Sequence, residues 1–592
     1  MGESYAQEAK EIRTKTIRDI APRGVIYDRN GIVLAYNRPG LVISVDPEMI
    51  DDNPEVLKRL ASVLGKSYYN LEKKLSGKRE YIKGYIDIVE DIDKELATFI
   101  KEHSDEFPGV IVKAVPLRNY PNGDVSSHIL GYVGQITLEE LQQEKFKYGY
   151  HPGDVVGKAG VELYYESFLS GQSGSKTVEV DPTGNIVREL GKVKPIPGNN
   201  LYLTIDINLQ RKAEEVLKKW IEKARERRDE KTNEYYKAPA GSLVILDAKT
   251  NQILALTSYP TYDPNIFIGG ISEKDWSNLN NPESNSPLNN RTLMSYSPGS
   301  IYKVVTAAAG LGENLVEPYG KNYKCLGVWK ELGDEHKRYC WKKWGHGDIN
   351  LIEGIQESCN IVFYEIGLSL HNNSKKSGDA FYHYSKILGL DELTGVDLPF
   401  ESKGIISNKK WKSEYFKDNP TLARWYPGDS VNLAIGQGDI LVSPIQIARL
   451  YSTIANNGEM VTPHIGLKIV SPKKELVENK VIKINKKQTL ERGIFEIIEK
   501  GLILVIKEGT AKSAFEGFPL DEISVAGKTG TSNVPGKQDF SWFACYTPVE
   551  NPEYIIVSMI EEAGSGGKSA APIARELLEF IYNIESSYES EE

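Results

Sequence analysis

Four short segments hold residue types that could carry acyl transfer or a metal. Ser297-Pro-Gly-Ser300-Ile-Tyr-Lys303 sets a hydroxyl and an amine three residues apart. Pro-Gly breaks the preceding chain, and Val304-Val-Thr-Ala-Ala-Ala309 continues as an apolar helix, so Ser300 falls at a helix start. Free N–H groups and the dipole favour developing negative charge there. Lys303 lies one turn on, on the same face. A lysine whose pKa is lowered by burial and neighbouring cations can take a serine proton. Taken alone, the tetrad reads far more readily as a capped helix with a surface lysine, because such tetrads are common.

Ser358-Cys-Asn360 is the second segment. A Ser and an Asn two apart on a bend can point into one cleft, although a helix cap uses the same residues. Lys528-Thr-Gly-Thr-Ser532 reads as a strand, with Lys528 and Gly530 on one face and Thr529 and Thr531 on the other. Glycine there lets another backbone approach. A lysine beside free strand N–H groups could hold a carboxylate and an oxyanion. The fourth segment gathers Cys325, Cys340 and Cys359 around His346, three of only four cysteines in the chain. Three thiolates and an imidazole make a closed tetrahedral set for Zn²⁺. A disulfide or buried free thiols remain open, and His336 is the fallback nitrogen ligand. Cys545 reads as a buried strand residue.

Several classes are excluded. Gly566-Gly-Lys-Ser569 and Gly527-Lys-Thr529 end like phosphate loops, but Glu562 and Glu522 stand where the leading glycine must be. There is no HExxH or GxSxG. Eight histidines leave little material for a Ser-His-Asp triad. With 82 acidic against 72 basic residues and a net charge of −10, nucleic acid is not expected as a partner. No apolar run reaches the ~18–20 residues of a membrane span.

The elements that must position these residues fall into two parts. Pro22–Tyr36 reads as strand, Asn-Gly turn, strand, and Leu41–Asp46 as a further strand. Residues 54–105 read as helical, and 109–187 as short strands between turns. From about 201 the pattern changes: strand 201–206, a long amphipathic helix from Asn208 to Glu230, and a hairpin over 240–258. A mostly helical stretch spans 298–515, then strands at 523–530, 541–546 and 554–560 and a helix at 571–584. The expected class is α+β. A C-terminal antiparallel sheet covered by helices spans 201–584, with an acidic tail at 585–592. An irregular α+β region fills 1–200, with a head near 54–150.

Together the three polar motifs resemble the penicillin-binding proteins, whose signature is Ser-x-x-Lys, Ser-Asp-Asn and Lys-Thr-Gly in this order. Here Cys359 stands in place of the Asp, with the Ser and Asn kept. Pro287-Leu-Asn-Asn-Arg291, Gly345-His-Gly347, Ala434-Ile-Gly-Gln-Gly438, Ser443-Pro-Ile-Gln446, Glu508-Gly-Thr-Ala511 and Trp542-Phe543 resemble the transpeptidase domain. Arg23-Gly24, Asp28-Arg-Asn-Gly31, Gly131-Tyr-Val-Gly134 and Gly157-Lys-Ala-Gly160 with Glu162 resemble the N-terminal pedestal of the class B branch. Trp341-Lys-Lys-Trp-Gly-His346 and Trp411-Lys-Ser-Glu-Tyr-Phe416 are similar to its elongation type.

The resemblance implies a serine D,D-transpeptidase that cross-links peptidoglycan stem peptides, presented as lipid-linked precursor or nascent strand, and that β-lactams acylate. In that reading Ser300 is the nucleophile, Lys303 the base, Ser358 the proton relay, Asn360 the orienting amide and Lys528 a fixed charge. Thr529, Gly530 and Thr531 line the substrate. Elongation-type relatives carry zinc in the stretch that holds Cys325, Cys340, His346 and Cys359, and the chemistry needs no cofactor. The resemblance also implies a SEDS-type glycan polymerase and elongation-complex proteins as partners. It places the protein on the extracytoplasmic face of a bacterial membrane, as an ectodomain whose anchoring helix precedes this sequence. A β-lactam sensor, a β-lactamase and a division or sporulation transpeptidase are the alternatives.

Overall fold

The computed structural model describes residues 14–79, 84–146, 149–181, 186–373, 379–479, 487–488 and 490–585. The polar start before Thr14 and the acidic tail beyond Glu585 lie outside the described residues.

The chain forms two compact units. The first takes the chain to Leu203 and then two later segments, Tyr262–Asn280 and Gly466–Lys480, which a single cut near residue 200 leaves out. Its long strand Val33–Val45 pairs antiparallel with Val110–Asn119 along ten residue pairs. The Asn-Gly hairpin forms as expected, with Ile26 opposite Ala35 and Asp28 capping the turn at Asn30 and Ile32. The expected all-helical stretch 54–105 is corrected by a strand, Ile86–Ile92, which pairs with the end of Val33–Val45. Its alternation Ile-Asp-Ile is a period-2 pattern, and Ile86 and Ile88 enter a core with Val56, Leu57, Leu60, Leu71 and Leu75. The pedestal motifs, remote in sequence, meet in a buried ion cluster. Glu162 accepts from Arg118 Nε at 2.6 Å and from Arg23 Nε at 2.5 Å, and Arg23 also reaches Glu166 at 2.7 Å.

The second unit is built on a five-stranded antiparallel sheet. Its strands are β1 (Gly241–Asp247), β2 (Ile253–Tyr259), β3 (Ala526–Ser532), β4 (Phe540–Thr547) and β5 (Tyr554–Ile560), in the order β2-β1-β5-β4-β3. Nearly every residue of β1, β4 and β5 is buried, because helices cover both faces. On one side lie α1 (Ile207–Arg225) and α7 (Ala571–Tyr582), with Trp220 Nε1 donating to Glu576 at 3.0 Å. α1 buries Leu209, Ala213, Val216, Leu217, Trp220 and Ile221 at the expected spacing. It stops at Arg225 rather than Glu230, where Asp229 turns the chain by accepting from Lys231 N.

The helices of this unit that bear on the site are α2 (Lys303–Gly312), α3 (Leu351–Gln356), α4 (Asn360–Asn373), α5 (Pro444–Ala455) and α6 (Arg492–Lys507). All twelve residues of α5 are buried, the polar Gln446, Arg449, Ser452 and Thr453 among them, so it runs through the core rather than along a surface. Ser443 and Gln446 close its N-terminus in a capping box. No helix among the described residues is long and apolar enough to cross a membrane.

Candidate active site

Ser300 sits in a 3₁₀ turn, Gly299–Tyr302, that runs directly into α2. In a 3₁₀ turn residues three apart eclipse, so Ser300 and Lys303 are stacked on one face. Gly299 is held at φ +56°, and its amide donates to Gly436 O at 3.0 Å. A Cβ there would lie 2.4 Å from Thr531 O, so only glycine lets this turn reach the edge of the sheet. Gly530 is the counterpart on β3: a Cβ would press on Ile301 and on Pro298 O at 3.0 and 3.1 Å. β3 is the last strand of its sheet, and the edge away from β4 has no strand partner among the described residues. The half-buried Ser300 therefore faces an open strand edge, as peptide capture by strand addition requires.

Lys303 is fully buried, yet its ammonium is saturated. Nζ donates to Ser358 O at 2.7 Å, to Ser358 Oγ at 3.3 Å and to Asn360 Oδ1 at 2.8 Å. Burial pulls its pKa down to about 8, against the opposing pull of the Cys359 and Cys340 sulfurs. That value makes it a proton acceptor near neutral pH.

The second motif is the link between α3 and α4. Ser358 sits there in the left-handed region, φ +49°, a conformation costing a non-glycine residue ~1–2 kcal/mol. The turn points Ser358 and Asn360 together at Lys303. Asn360 is braced by donating to Tyr339 O at 3.2 Å.

Lys528 is also fully buried and donates to Thr529 O at 3.1 Å. Burial and then the Lys303 charge push its pKa well down, while Glu357 pulls the other way. Thr529 Oγ1 is 2.6 Å from Thr510 Oγ1, and Thr531 Oγ1 accepts from Gly566 N at 3.4 Å. Trp542 Nε1 holds Ser297 O at 3.1 Å and so ties β4 to the serine segment. Thr510 and Glu357 were not singled out from sequence. Thr510 stands in the flank Glu508-Gly-Thr-Ala511, but no spacing ties it to Thr529.

The cysteine cluster forms. Cys325, Cys340 and Cys359 are buried, and the ligand atoms of these three and His346 lie within 4.8 Å of one another. His346 Nδ1 is 3.4 Å from Cys325 Sγ and 3.6 Å from Cys340 Sγ, and Cys340 Sγ is 3.9 Å from Cys359 Sγ. Tetrahedral zinc with ~2.3 Å and ~2.0 Å bonds has S···S edges near ~3.8 Å and S···N edges near ~3.5 Å, so the donor set fits the ion. The sulfur separation is nearly twice a disulfide bond of ~2.05 Å. His336 lies on an exposed turn outside the cluster. Cys545 is buried on β4 opposite Gly527.

Comparison with known proteins agrees with this geometry. The penicillin binding protein transpeptidase domain matches residues 241–579, and the penicillin-binding protein dimerisation domain matches residues 18–203. Peptidoglycan D,D-transpeptidase MrdA of Acinetobacter baumannii is 32% identical over 98% of this chain and 82% of its own length. MrdA of Escherichia coli K12 is 30% identical, covering 98% and 89%. PBP2 of Helicobacter pylori, solved in complex with MreC, superposes with a TM-score of 0.75 at 27% identity, covering 97% of this chain and 99% of that one. A serine turn, a Ser-x-Asn bend and a Lys-Thr-Gly edge strand meet in one site of this chain, and on the family matches and identities the chain belongs to the penicillin-binding protein transpeptidases, elongation (PBP2) type.

Proposed function

We propose that this chain cross-links peptidoglycan stem peptides. Ser300 Oγ attacks the penultimate D-Ala carbonyl of a D-Ala-D-Ala stem held along the open edge of β3, and Lys303 takes its proton. The backbone N–H groups of Ser300 and Thr531 receive the developing oxyanion, a contribution typically of ~3–4 kcal/mol per donor. Ser358 passes a proton to the departing D-Ala amine, and Asn360 keeps Lys303 aimed. Lys528 supplies positive charge beside Ser358, and Thr529 and Thr531 hold the terminal carboxylate across Gly530. An amine from a second stem then displaces Ser300 and closes a 4→3 cross-link. A β-lactam acylates the same hydroxyl. The observation that carries this reading is the buried Lys303 amine bonded to Ser358 and Asn360, one eclipsed turn from Ser300. Peptide mapping after fluorescent penicillin treatment should place the label on Ser300, and S300A should abolish it; label on Ser358 or Ser532 would sink the assignment.

Zinc held by Cys325, Cys340, His346 and Cys359 supplies structural cross-linking when bound. Those ligands pin the Ser358–Asn360 bend to the 323–349 loop.

Residues 1–200 are read as a non-catalytic docking module for a SEDS-type polymerase and other elongation-complex proteins, and 201–584 as the transpeptidase domain. That the H. pylori relative was solved in complex with MreC supports elongation-complex partners in general. The work site is the outer face of the bacterial cell membrane, reached through an anchoring helix. Fractionation and co-purification with the polymerase test these assignments, and a cytoplasmic, partner-free enzyme would refute them.

A further inference from the structure

Glu357 faces the cysteine cluster. His346 turns Nδ1 toward the sulfurs of Cys325 and Cys340. An imidazole that gives Nδ1 to a metal keeps its proton on Nε2, and that N–H needs an acceptor. Here Nε2 is buried with no hydrogen bond, and the His346 side chain is 2% exposed. The carboxylate facing it is Glu357, with Oε2 at 3.8 Å, a gap that a small side-chain rotation closes. Both residues are pinned by Trp341: its ring packs edge-on against His346, and its indole N–H donates to Glu357 O at 2.8 Å. The next residue in the chain is Ser358, held in its left-handed turn.

We propose that Glu357 is a positioning residue: its carboxylate accepts the Nε2–H of His346 and so holds the metal ligand in place. This proposal rests on the zinc reading above.

Glu357→Gln and Glu357→Ala test this. Glutamine keeps an acceptor oxygen; alanine loses it. In full-length protein purified with zinc, E357A should release the metal to a colorimetric chelator ~10–100-fold faster than wild type, the usual effect of losing a ligand's hydrogen-bond partner. E357Q should hold zinc within a few-fold of wild type, a rescue that a hydrogen-bond acceptor gives and a purely structural role does not. Zinc-bound wild type with E357A releasing at the same rate overturns the proposal. E357Q releasing zinc ~10-fold or more faster than wild type overturns it too, even if E357A fails to fold. Wild type without zinc refutes the zinc reading and the proposal with it.

Discussion

If Lys303 is the base, acylation must follow its deprotonation. With a pKa of about 8, the neutral amine is about 1% of the enzyme at pH 6 and about half at pH 8. The second-order rate of acylation by a penicillin should therefore climb ~10-fold per pH unit below 8, ~50-fold in all between pH 6 and 8, and then level off. Lys303→Arg cannot lose its proton in this range, so its rate should be flat with pH and ~10²–10⁴-fold lower. Stopped-flow or gel-based acylation in buffers of constant ionic strength gives both profiles. The same shift has a stability signature. Below pH 8 folded and unfolded chains both hold the proton, and folding bears the full burial cost. Between about 8 and 10.5 the unfolded chain binds more protons, so wild type should gain up to about 3 kcal/mol relative to Lys303→Met as pH rises through that window. A wild-type acylation rate that changes less than about threefold from pH 6 to 8, with the fold intact, would refute Lys303 as the base.

Gly299→Ala should cost ~2 kcal/mol or more and abolish acylation, since it adds a Cβ 2.4 Å from Thr531 O at a positive φ; urea melts and penicillin labelling check this, and a wild-type-like variant would deny the tight apposition of turn and strand. Metal analysis should give about one zinc per chain, with chelation lowering the melting temperature and slowing acylation together; a metal-free protein with full acylation would remove zinc from the account. Thr510→Val removes the hydroxyl 2.6 Å from Thr529 Oγ1 and should slow acylation ~10-fold while stability changes by ~1 kcal/mol or less; equal rates would mean that Thr529 needs no bracing.

Ser300, Lys303, Ser358, Asn360 and Lys528, the residues proposed for the chemistry, stand out in the sequence because acyl transfer needs particular side chains in short, local patterns. The same holds for α1, whose apolar spacing is a property of one helix, and for the Asp28–Ile32 turn. The strand Ile86–Ile92 was missed because seven residues of alternation sit between helical stretches, and only its partner Val33–Val45 stabilises it as a strand. What the tertiary structure alone decided are distances between remote segments. Thr529 meets Thr510, His346 rather than His336 turns to the sulfurs, and Glu357 faces His346. Burial is the other such quantity. Lys303 is an ordinary amine in the sequence, and its pKa falls only because the fold strips its water and leaves it Ser358 and Asn360 as partners. Local pattern names the groups, since helix and strand periods are short; their protonation and partners depend on which distant elements close over them.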